Sequence, residues 1–291
     1  MIRQRVAMVG PGSVGSVFAA HLSDVHDVVA CARRPFDRYV IESPEVPFDG
    51  PANVVTEPAA LDGEPFDWVL VALKAHQTAG AAAWLERACG PTTIVVGMQN
   101  GVEAAERLGP YVNGAHVIPS VVYCGAELTE PGRVRHSRSM RLIVPDDEPG
   151  AGLAELFAGT PAQIDPSPGH LTSAWVKLAI NVVANGLSAL TGRDMRVLQD
   201  EALAPVAVEL MTEVLTVGRA EGADLDLEGI PERIAAMGTN PVRTSMLQDT
   251  DAGRTTEHDA IHGAVLRAGA RHGIDTPVTE VVHSLLAARS A

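Results

Sequence analysis

Apolar positions in the first third of the chain form short β-type runs that alternate with helical stretches. The β-type runs cover residues 5–9, 27–32, 53–56, 68–73 and 93–97, and the clearest helical stretches cover residues 17–23 and 78–88. Strand and helix in alternation predict a parallel sheet with helices on its faces. We therefore expect an α/β fold with a doubly wound sheet in this part of the chain.

The pattern becomes more strand-rich after residue 115. Residues 115–144 contain strand-like runs separated by turn signals such as Glu130-Pro131-Gly132. These runs predict an antiparallel extension of the sheet. A short helix over residues 152–158 and a last strand over residues 162–165 are expected to follow.

Strand patterns end at a cluster of prolines, and the rest of the chain has helical periodicity. Pro161, Pro166 and Pro168 precede Gly169, a combination typical of a domain boundary. Helical patterns then cover residues 173–190, 203–221, 231–237 and 258–272. The sequence thus predicts two domains, an α/β domain over residues 1–167 and an all-helical domain over residues 168–291.

Three polar residues interrupt an otherwise apolar helix in the second half. Lys177, Asn181 and Asn185 lie four residues apart in the run AWVKLAINVVAN. On a helix, positions four residues apart differ by only ~40° of rotation about the axis, so the three side chains share one helix face. Buried polar groups need hydrogen-bond partners. This face is therefore either an internal hydrogen-bond network or the wall of a polar ligand pocket.

Lysine is rare in this chain, which makes Lys177 unusual. Of the 22 lysine and arginine residues only Lys74 and Lys177 are lysine, and both lie in apolar surroundings rather than on charge-rich faces. An ammonium whose pKa is lowered can give up a proton near neutral pH, which a guanidinium cannot do. Lysine in place of arginine at position 177 therefore favours a role as proton donor. The alternative is that the two lysines are there by chance.

Charge and composition exclude several classes of partner. The formal net charge of −14 disfavours nucleic acid and anionic membrane surfaces, because both bind basic patches. The first residues lack the apolar core of a secretory signal, and no apolar run reaches the ~18 residues of a membrane span. Cys31, Cys89 and Cys124 are scattered and fit reduced thiols better than disulfides or a zinc site. We expect a soluble, cytoplasmic protein.

The first strand leads directly into a glycine-rich turn. The pattern G-x-G-x-x-G lies between a strand and a helix and consists of Gly10, Pro11, Gly12, Ser13, Val14 and Gly15. The first glycine permits a tight turn, the second lets a pyrophosphate approach the backbone, and the third lets the helix pack on the strand. The α/β domain is therefore predicted to be a Rossmann-type dinucleotide-binding domain, with the helix N-terminus facing the phosphates.

Charged residues after the second strand bear on the choice of cofactor. Arg33 and Arg34 stand where an NAD-binding unit usually has an acidic residue for the ribose 2′-hydroxyl. Two guanidiniums suit the 2′-phosphate of NADP, although ordinary surface arginines remain an alternative. NADPH is the expected cofactor.

Polar residues also follow two later strands. Lys74 comes after WVLVAL, and Gln99-Asn100-Gly101 comes after TIVVGM, at the positions where ligands of such sheets bind. For Asn100 alone, turn chemistry is the stronger interpretation, because Asn-Gly is a common turn pair. Glu257 lies at the start of a later helix, where the simplest role is a favourable interaction with the helix dipole.

Taken in order, these motifs resemble the ketopantoate reductase family, the NADPH-dependent 2-dehydropantoate 2-reductases. The resemblance covers nearly the whole chain and rests on GPGSVG, LKAHQ, QNG, WVKLAINVVAN, SMLQD and TEHD. It implies an oxidoreductase that reduces a 2-oxo acid in a cleft between the two domains. Pantothenate biosynthesis and a specialised pathway are both compatible with that activity.

The resemblance also implies roles for individual residues. Lys177 would be the general acid, and Glu257 would be a carboxylate that orients the substrate. The other implied roles are substrate contacts by Asn181, Asn185 and Ser245, nicotinamide-ribose contacts by Lys74 and Asn100, and 2′-phosphate binding by Arg33 or Arg34.

Two histidines depart from the family pattern. His258 stands where the family usually has an apolar residue, and His262 stands where asparagine is common, which leaves the identity of the substrate open. Their i, i+4 spacing resembles the helical zinc-protease motif. That motif has glutamate where this chain has Asp259, and no third ligand is evident. We therefore expect no catalytic metal.

Two other functions are compatible with the sequence. One is another two-domain NADP-dependent hydroxyacid dehydrogenase, which shares the glycine turn and a catalytic lysine. The other is a non-catalytic NADP-sensing protein, which would not need Lys177 and Glu257 together. The expected partner is a small-molecule 2-oxo acid, without nucleic acid or membrane, and the expected assembly is a monomer or a homodimer.

Overall fold

The computed structural model describes residues 2–239 and 241–290, and the chain divides into two compact units. Met1–Gln99 and Ala104–His170 form an α/β unit, whereas Asn100–Glu103 and Leu171–Ala291 form a helical unit. The domain boundary expected between residues 167 and 168 stays a prediction. The sequence pattern does not indicate that four residues of the first half belong to the helical unit.

The α/β unit contains two sheets. Its strands are β1 (Arg5–Val9), β2 (Asp27–Cys31), β3 (Arg38–Glu42), β4 (Phe48–Pro51), β5 (Val54–Val55), β6 (Trp68–Val71), β7 (Ile94–Gly97), β8 (His116–Pro119), β9 (Val121–Glu130), β10 (Arg133–Pro145) and β11 (Gln163–Ser167). Its helices are α1 (Ser13–Ser23), α2 (Ala82–Ala88), α3 (Ala104–Leu108) and α4 (Glu148–Leu156).

The first sheet is parallel throughout. Its strand order is β5-β2-β1-β6-β7-β8. The central strands β1, β6 and β7 are buried over nearly their full length, as expected for a parallel sheet covered on both faces. The predicted Rossmann-type α/β fold is confirmed.

The antiparallel strands belong to a second sheet rather than to an extension of the first. Strands β9 and β10 form a long antiparallel pair. Strand β10 also pairs in parallel with β11 and with β3, and β3 has an antiparallel partner in β4. The sequence pattern does not predict β3 and β4, which lie close to several prolines.

Helix α1 packs against both sheets. Val17, Phe18 and Leu22 are fully buried in one cluster that also contains Leu70 of the first sheet and Leu142 of the second. A helix enclosed in this way is apolar on most of its surface, which explains the run VFAAHL. This packing fixes the N-terminus of α1 directly after β1, where the glycine turn lies.

The helical unit consists of α5 (His170–Thr191), α6 (Ala204–Ala220), α7 (Ile230–Met237), α8 (Ser245–Asp251), α9 (Ala264–His272) and α10 (Pro277–Arg289). The helix expected over residues 258–272 begins instead with a π-helical turn, Asp259–Gly263, and continues as α9. The sequence pattern does not predict α8 and α10. The predicted all-helical second half is confirmed.

Helix α5 is the central helix of this unit. Trp175, Val182, Val183 and Leu187 are buried in a cluster with apolar residues of α6, α9 and α10. Within the described residues, α5 alone is long and apolar enough to cross a membrane, and 61% of its apolar window is buried inside the protein. That burial is the pattern of a core helix.

Candidate active site

The glycine turn between β1 and α1 has the geometry that its sequence predicts. Gly10 has a φ of 86°, which favours glycine. A Cβ on Gly15 would lie 2.6 Å from the Gly10 carbonyl oxygen, whereas the nearest atom to a Cβ on Gly12 would be 4.0 Å away. Gly10 and Gly15 are therefore required by the turn itself, and Gly12 leaves its backbone open to a ligand.

The first backbone amides of α1 directly follow this open position. Gly12 is the N-cap of α1, and the first intrahelical bond runs from the Ser16 N–H to the Gly12 carbonyl. Helices leave their first N–H groups without intrahelical partners, and here these are the amides of Ser13, Val14 and Gly15. Together with the positive end of the helix dipole they form a site suited to a pyrophosphate.

Arg33 and Arg34 follow the strand that neighbours the glycine turn. Strand β2 is the neighbour of β1, and the Gly10 N–H donates to the Cys31 carbonyl at 3.2 Å. The two arginines follow Cys31 after one residue, and both are exposed. The residues present thus fit a dinucleotide cofactor, with two exposed guanidiniums just beyond the end of β2.

The Lys74 segment lies at the same edge of the sheet. Lys74 is half-buried and follows β6, the other neighbour of β1. Gln99, which follows β7, donates from Nε2 to the Leu73 carbonyl at 3.2 Å and to Thr78 Oγ1 at 2.9 Å. Gln99 is buried and ties the backbone before Lys74 to the end of the next strand, a structural role that its place in a loop motif does not reveal.

In the helical unit, the polar face of α5 becomes more buried along the helix. Lys177 and Asn181 are half-buried, and Asn185 is 4% exposed. Their spacing on one helix is as predicted. Lys177 and Asn181 therefore lie in the more accessible part of the stripe, and Asn185 lies toward the core.

Asn100 pairs with Glu257. Asn100 Nδ2 donates to Glu257 Oε2 at 2.9 Å, across 157 positions of sequence. The Glu257 side chain is buried, so this hydrogen bond offsets part of the cost of burying its carboxylate. The structure thus brings together two motifs that the sequence presents separately, and Asn100 does more than form a turn.

Glycine is required beside this pair. Gly101 has a φ of 98°, and a Cβ built on it would lie 2.5 Å from the Ala260 carbonyl oxygen. Gly101 therefore lies closer to the backbone of the π-helical turn than a residue with a side chain could.

Ser245 is the first residue of α8, and its side chain is exposed. The N-cap before it, Thr244, contacts Ser188 of α5 through the two hydroxyl oxygens at 3.1 Å. Asp249, at the other end of the SMLQD motif, is buried and accepts a hydrogen bond from Arg254 Nε at 2.9 Å. No role for Asp249 was predicted from the sequence.

His262 is a core residue. It is fully buried, and Nε2 donates to the Val182 carbonyl of α5 at 3.0 Å. Nδ1 has no hydrogen-bond partner within the described residues. Burial lowers the pKa of His262 to about 3, with the Val182 hydrogen bond opposing the shift and His283 and His258 adding to it. His262 is therefore neutral in the folded protein at ordinary pH.

His258 lies nearer the surface. Its Nδ1 contacts Thr256 Oγ1 at 3.0 Å, and its ring centroid lies 5.3 Å from that of His283. Thr256 in turn contacts Ser290 Oγ at 2.8 Å. These contacts connect the residue after Glu257 to the end of α10.

Two family models match the two halves of the chain. The family model described as Ketopantoate reductase PanE/ApbA matches residues 6–148, and the model of its C-terminal domain matches residues 170–290. The chain belongs to the ketopantoate reductase family. Ketopantoate reductases are oxidoreductases, and their Rossmann-type domain implies a nicotinamide cofactor.

Individual relatives agree with this assignment. A protein of Caulobacter vibrioides named 2-dehydropantoate 2-reductase is 37% identical over 97% of both chains. The crystal structure of a ketopantoate reductase of the same family from Ralstonia eutropha JMP134 has a TM-score of 0.88 at 29% identity, with 98% of each chain covered. A D-mandelate dehydrogenase in a ternary complex with NADH and anilino(oxo)acetate has a TM-score of 0.86, again over 98% of each chain, but at 20% identity it shows the fold alone.

The neutral His262 makes the stability of this ketopantoate reductase family member depend on pH. Its folded-state pKa lies below the ordinary 6.5, so the unfolded chain binds the proton more strongly and stability falls as the pH drops below about 6.5. His262→Asn keeps an N–H donor and does not titrate. Between pH 7 and pH 5 the free energy of unfolding should fall by about 1–2 kcal/mol more in the unaltered protein than in this variant, as measured by urea unfolding. Equal losses in the two proteins would contradict the account of His262.

Proposed function

We propose that the protein is an NADPH-dependent reductase that converts a 2-oxo acid of the 2-dehydropantoate type into the 2-hydroxy acid. The observation that carries the proposal is the Asn100–Glu257 hydrogen bond, in the same helical unit that presents Lys177. Family membership supports the reaction class. The name of the Caulobacter vibrioides relative supports the substrate class.

Lys177 is the proposed general acid. NADPH, when bound, supplies the hydride that adds to C2 of the substrate. The Lys177 ammonium donates a hydrogen bond to the carbonyl oxygen and transfers a proton to it as negative charge develops there. The products are the 2-hydroxy acid, NADP⁺ and a neutral lysine that regains its proton from water. A positioned acid of this kind accelerates such a step by about 10²- to 10⁴-fold.

Glu257 is proposed to orient the substrate. An ionised carboxylate only accepts hydrogen bonds, and Asn100 already supplies one donor. A hydroxyl near the ketone of a 2-dehydropantoate-type substrate would supply another. Asn181, Asn185 and Ser245 are the proposed contacts to the rest of the substrate, with Ser245 near its carboxylate.

The proposed preference for NADPH rests on Arg33 and Arg34. The D-mandelate dehydrogenase complex contains NADH on the same fold, so the fold alone does not choose between the two cofactors. The exposed guanidiniums after β2 suit a 2′-phosphate. Lys74 is proposed to contact the nicotinamide ribose. A cytoplasmic location and a monomeric or homodimeric assembly stay predictions.

The substrate class is tested by a panel of 2-oxo acids. We expect NADPH oxidation to be fastest with 2-dehydropantoate and slower by about tenfold or more with 3,3-dimethyl-2-oxobutanoate, which has hydrogen in place of the hydroxyl, because Glu257 would then lose a donor. The measurement is kcat/KM from the absorbance of NADPH. A preference for acids without the hydroxyl would favour another hydroxyacid dehydrogenase, and NADPH binding without any oxidation would favour a sensor.

The cofactor preference is tested by removing the two arginines. The unaltered protein should bind NADPH about 10- to 100-fold more tightly than NADH, since only NADPH accepts charge-assisted bonds at its 2′-phosphate. Arg33→Ala with Arg34→Ala should erase most of that difference, and the single variants show which arginine dominates. Arg135→Ala, in an exposed ion pair with Glu127, is the control and should change neither affinity. Equal affinity of the unaltered protein for both cofactors would refute the assignment.

A further inference from the structure

One guanidinium joins the two chain segments that hold the Glu257 carboxylate. Arg267, on α9, donates from Nε and Nη2 to the two carboxylate oxygens of Glu103, each at 2.7 Å. It also donates from Nη1 to Asp259 Oδ1 at 2.8 Å and from Nη2 to the Asp259 carbonyl oxygen at 2.9 Å. Glu103 belongs to the segment that carries Asn100, and Asp259 lies two residues after Glu257.

The segment of residues 100–103 has a polar contact at each end. Asn100 bonds to Glu257 at one end, and Glu103 bonds to Arg267 at the other. Between them, Gly101 lies against the backbone of Ala260, and Val102 packs on the core of the helical unit. Because the segment is only four residues long, the position of Glu103 constrains where the Asn100 amide can lie.

The geometry of this contact distinguishes it from an ordinary surface ion pair. The Glu103 side chain is only 14% exposed, and its carboxylate is held by two parallel bonds from one guanidinium. Exposed single ion pairs contribute little, but bidentate arginine–carboxylate pairs add orientation as well as energy. Arg271, four residues later on α9, provides the comparison, because it contacts the Glu221 carboxylate through one hydrogen bond of 2.9 Å.

We propose that Arg267 is a positioning residue for Glu257. By joining Glu103 to Asp259, it fixes the Asn100 amide against Glu257 and aims the carboxylate at the hydroxyl of the substrate. This proposal rests on the proposed function of Glu257 and adds a residue that touches neither substrate nor cofactor.

The test compares Arg267→Met with the matched control Arg271→Met on two substrates. In Arg267→Met, kcat/KM for 2-dehydropantoate should fall by about tenfold or more, mainly through KM, because a misplaced carboxylate loses the substrate hydroxyl. Activity of Arg267→Met on 3,3-dimethyl-2-oxobutanoate, and all parameters of Arg271→Met, should stay within about twofold. An equal loss on both substrates would mean a merely structural role and would overturn the proposal.

A second measurement tests whether Arg267 acts through Glu257. With Glu257→Gln already in place, adding Arg267→Met should lower activity by less than about twofold, because residues acting as one unit are not additive. A full additional loss would overturn the proposal.

Hydrogen exchange separates this proposal from the proposed function. Amides of residues 100–103 should exchange faster in Arg267→Met than in Arg271→Met, whatever the activity. If the unaltered protein reduces no 2-oxo acid, the proposed function fails. Faster exchange in Arg267→Met would still show that Arg267 holds residues 100–103 in place. Unchanged exchange overturns the positioning role even in an active enzyme.

Discussion

The burial of one carboxylate is the constraint on which the candidate site depends. Glu257 is removed from water, and a buried charge is costly unless hydrogen bonds replace those that it loses. One of these bonds comes from Asn100, which is distant in sequence. To supply it, the chain leaves the α/β unit after Gln99, contributes four residues to the helical unit and returns at Ala104. Gly101 and the Glu103–Arg267 pair are consequences of that path.

A similar constraint acts on α5. Most of this helix is core, yet its polar stripe contains two carboxamides and the only lysine of the helical unit. Apolar residues at these positions would pack in the core and would not need hydrogen-bond partners. Keeping an ammonium there is useful where a proton must be transferred, since lysine changes its protonation state far more readily than arginine. Stability and chemistry therefore make different demands on one helix, and the apolar residues around the stripe keep it in place.

The sequence predicted the elements whose pattern is local and strong. The parallel sheet, the glycine turn and the long helices follow from runs such as Arg5–Val9 and His170–Thr191, which have one clear periodicity. Strands β3 and β4 escaped prediction because they are short and lie among prolines. Helix α10 was missed because Val281 and Leu285 are exposed and blur its apolar stripe. The π-helical turn was missed because the extra residue per turn leaves no local signal, although it places His262 against α5.

Contacts between distant residues were the part of the site that the sequence could not give. Asn100 beside Gly101 has the pattern of a turn, and nothing local indicates that its amide bonds to Glu257. Arg267 and Glu103 are ordinary charged residues in the sequence, and only their two parallel hydrogen bonds set them apart. The residue types predicted the chemistry, whereas the tertiary structure was needed to show which groups act together.

The central claim, that Lys177 transfers a proton, is tested most directly by the steady-state kinetics of Lys177→Arg. Arginine keeps the positive charge and can donate hydrogen bonds, but it holds its proton too strongly to act as an acid. On the best substrate we predict a loss of about 10²-fold or more in kcat, close to that of Lys177→Ala, with NADPH affinity measured by fluorescence little changed. An arginine variant within a few-fold of the unaltered enzyme would contradict the claim and leave Lys177 as an electrostatic anchor.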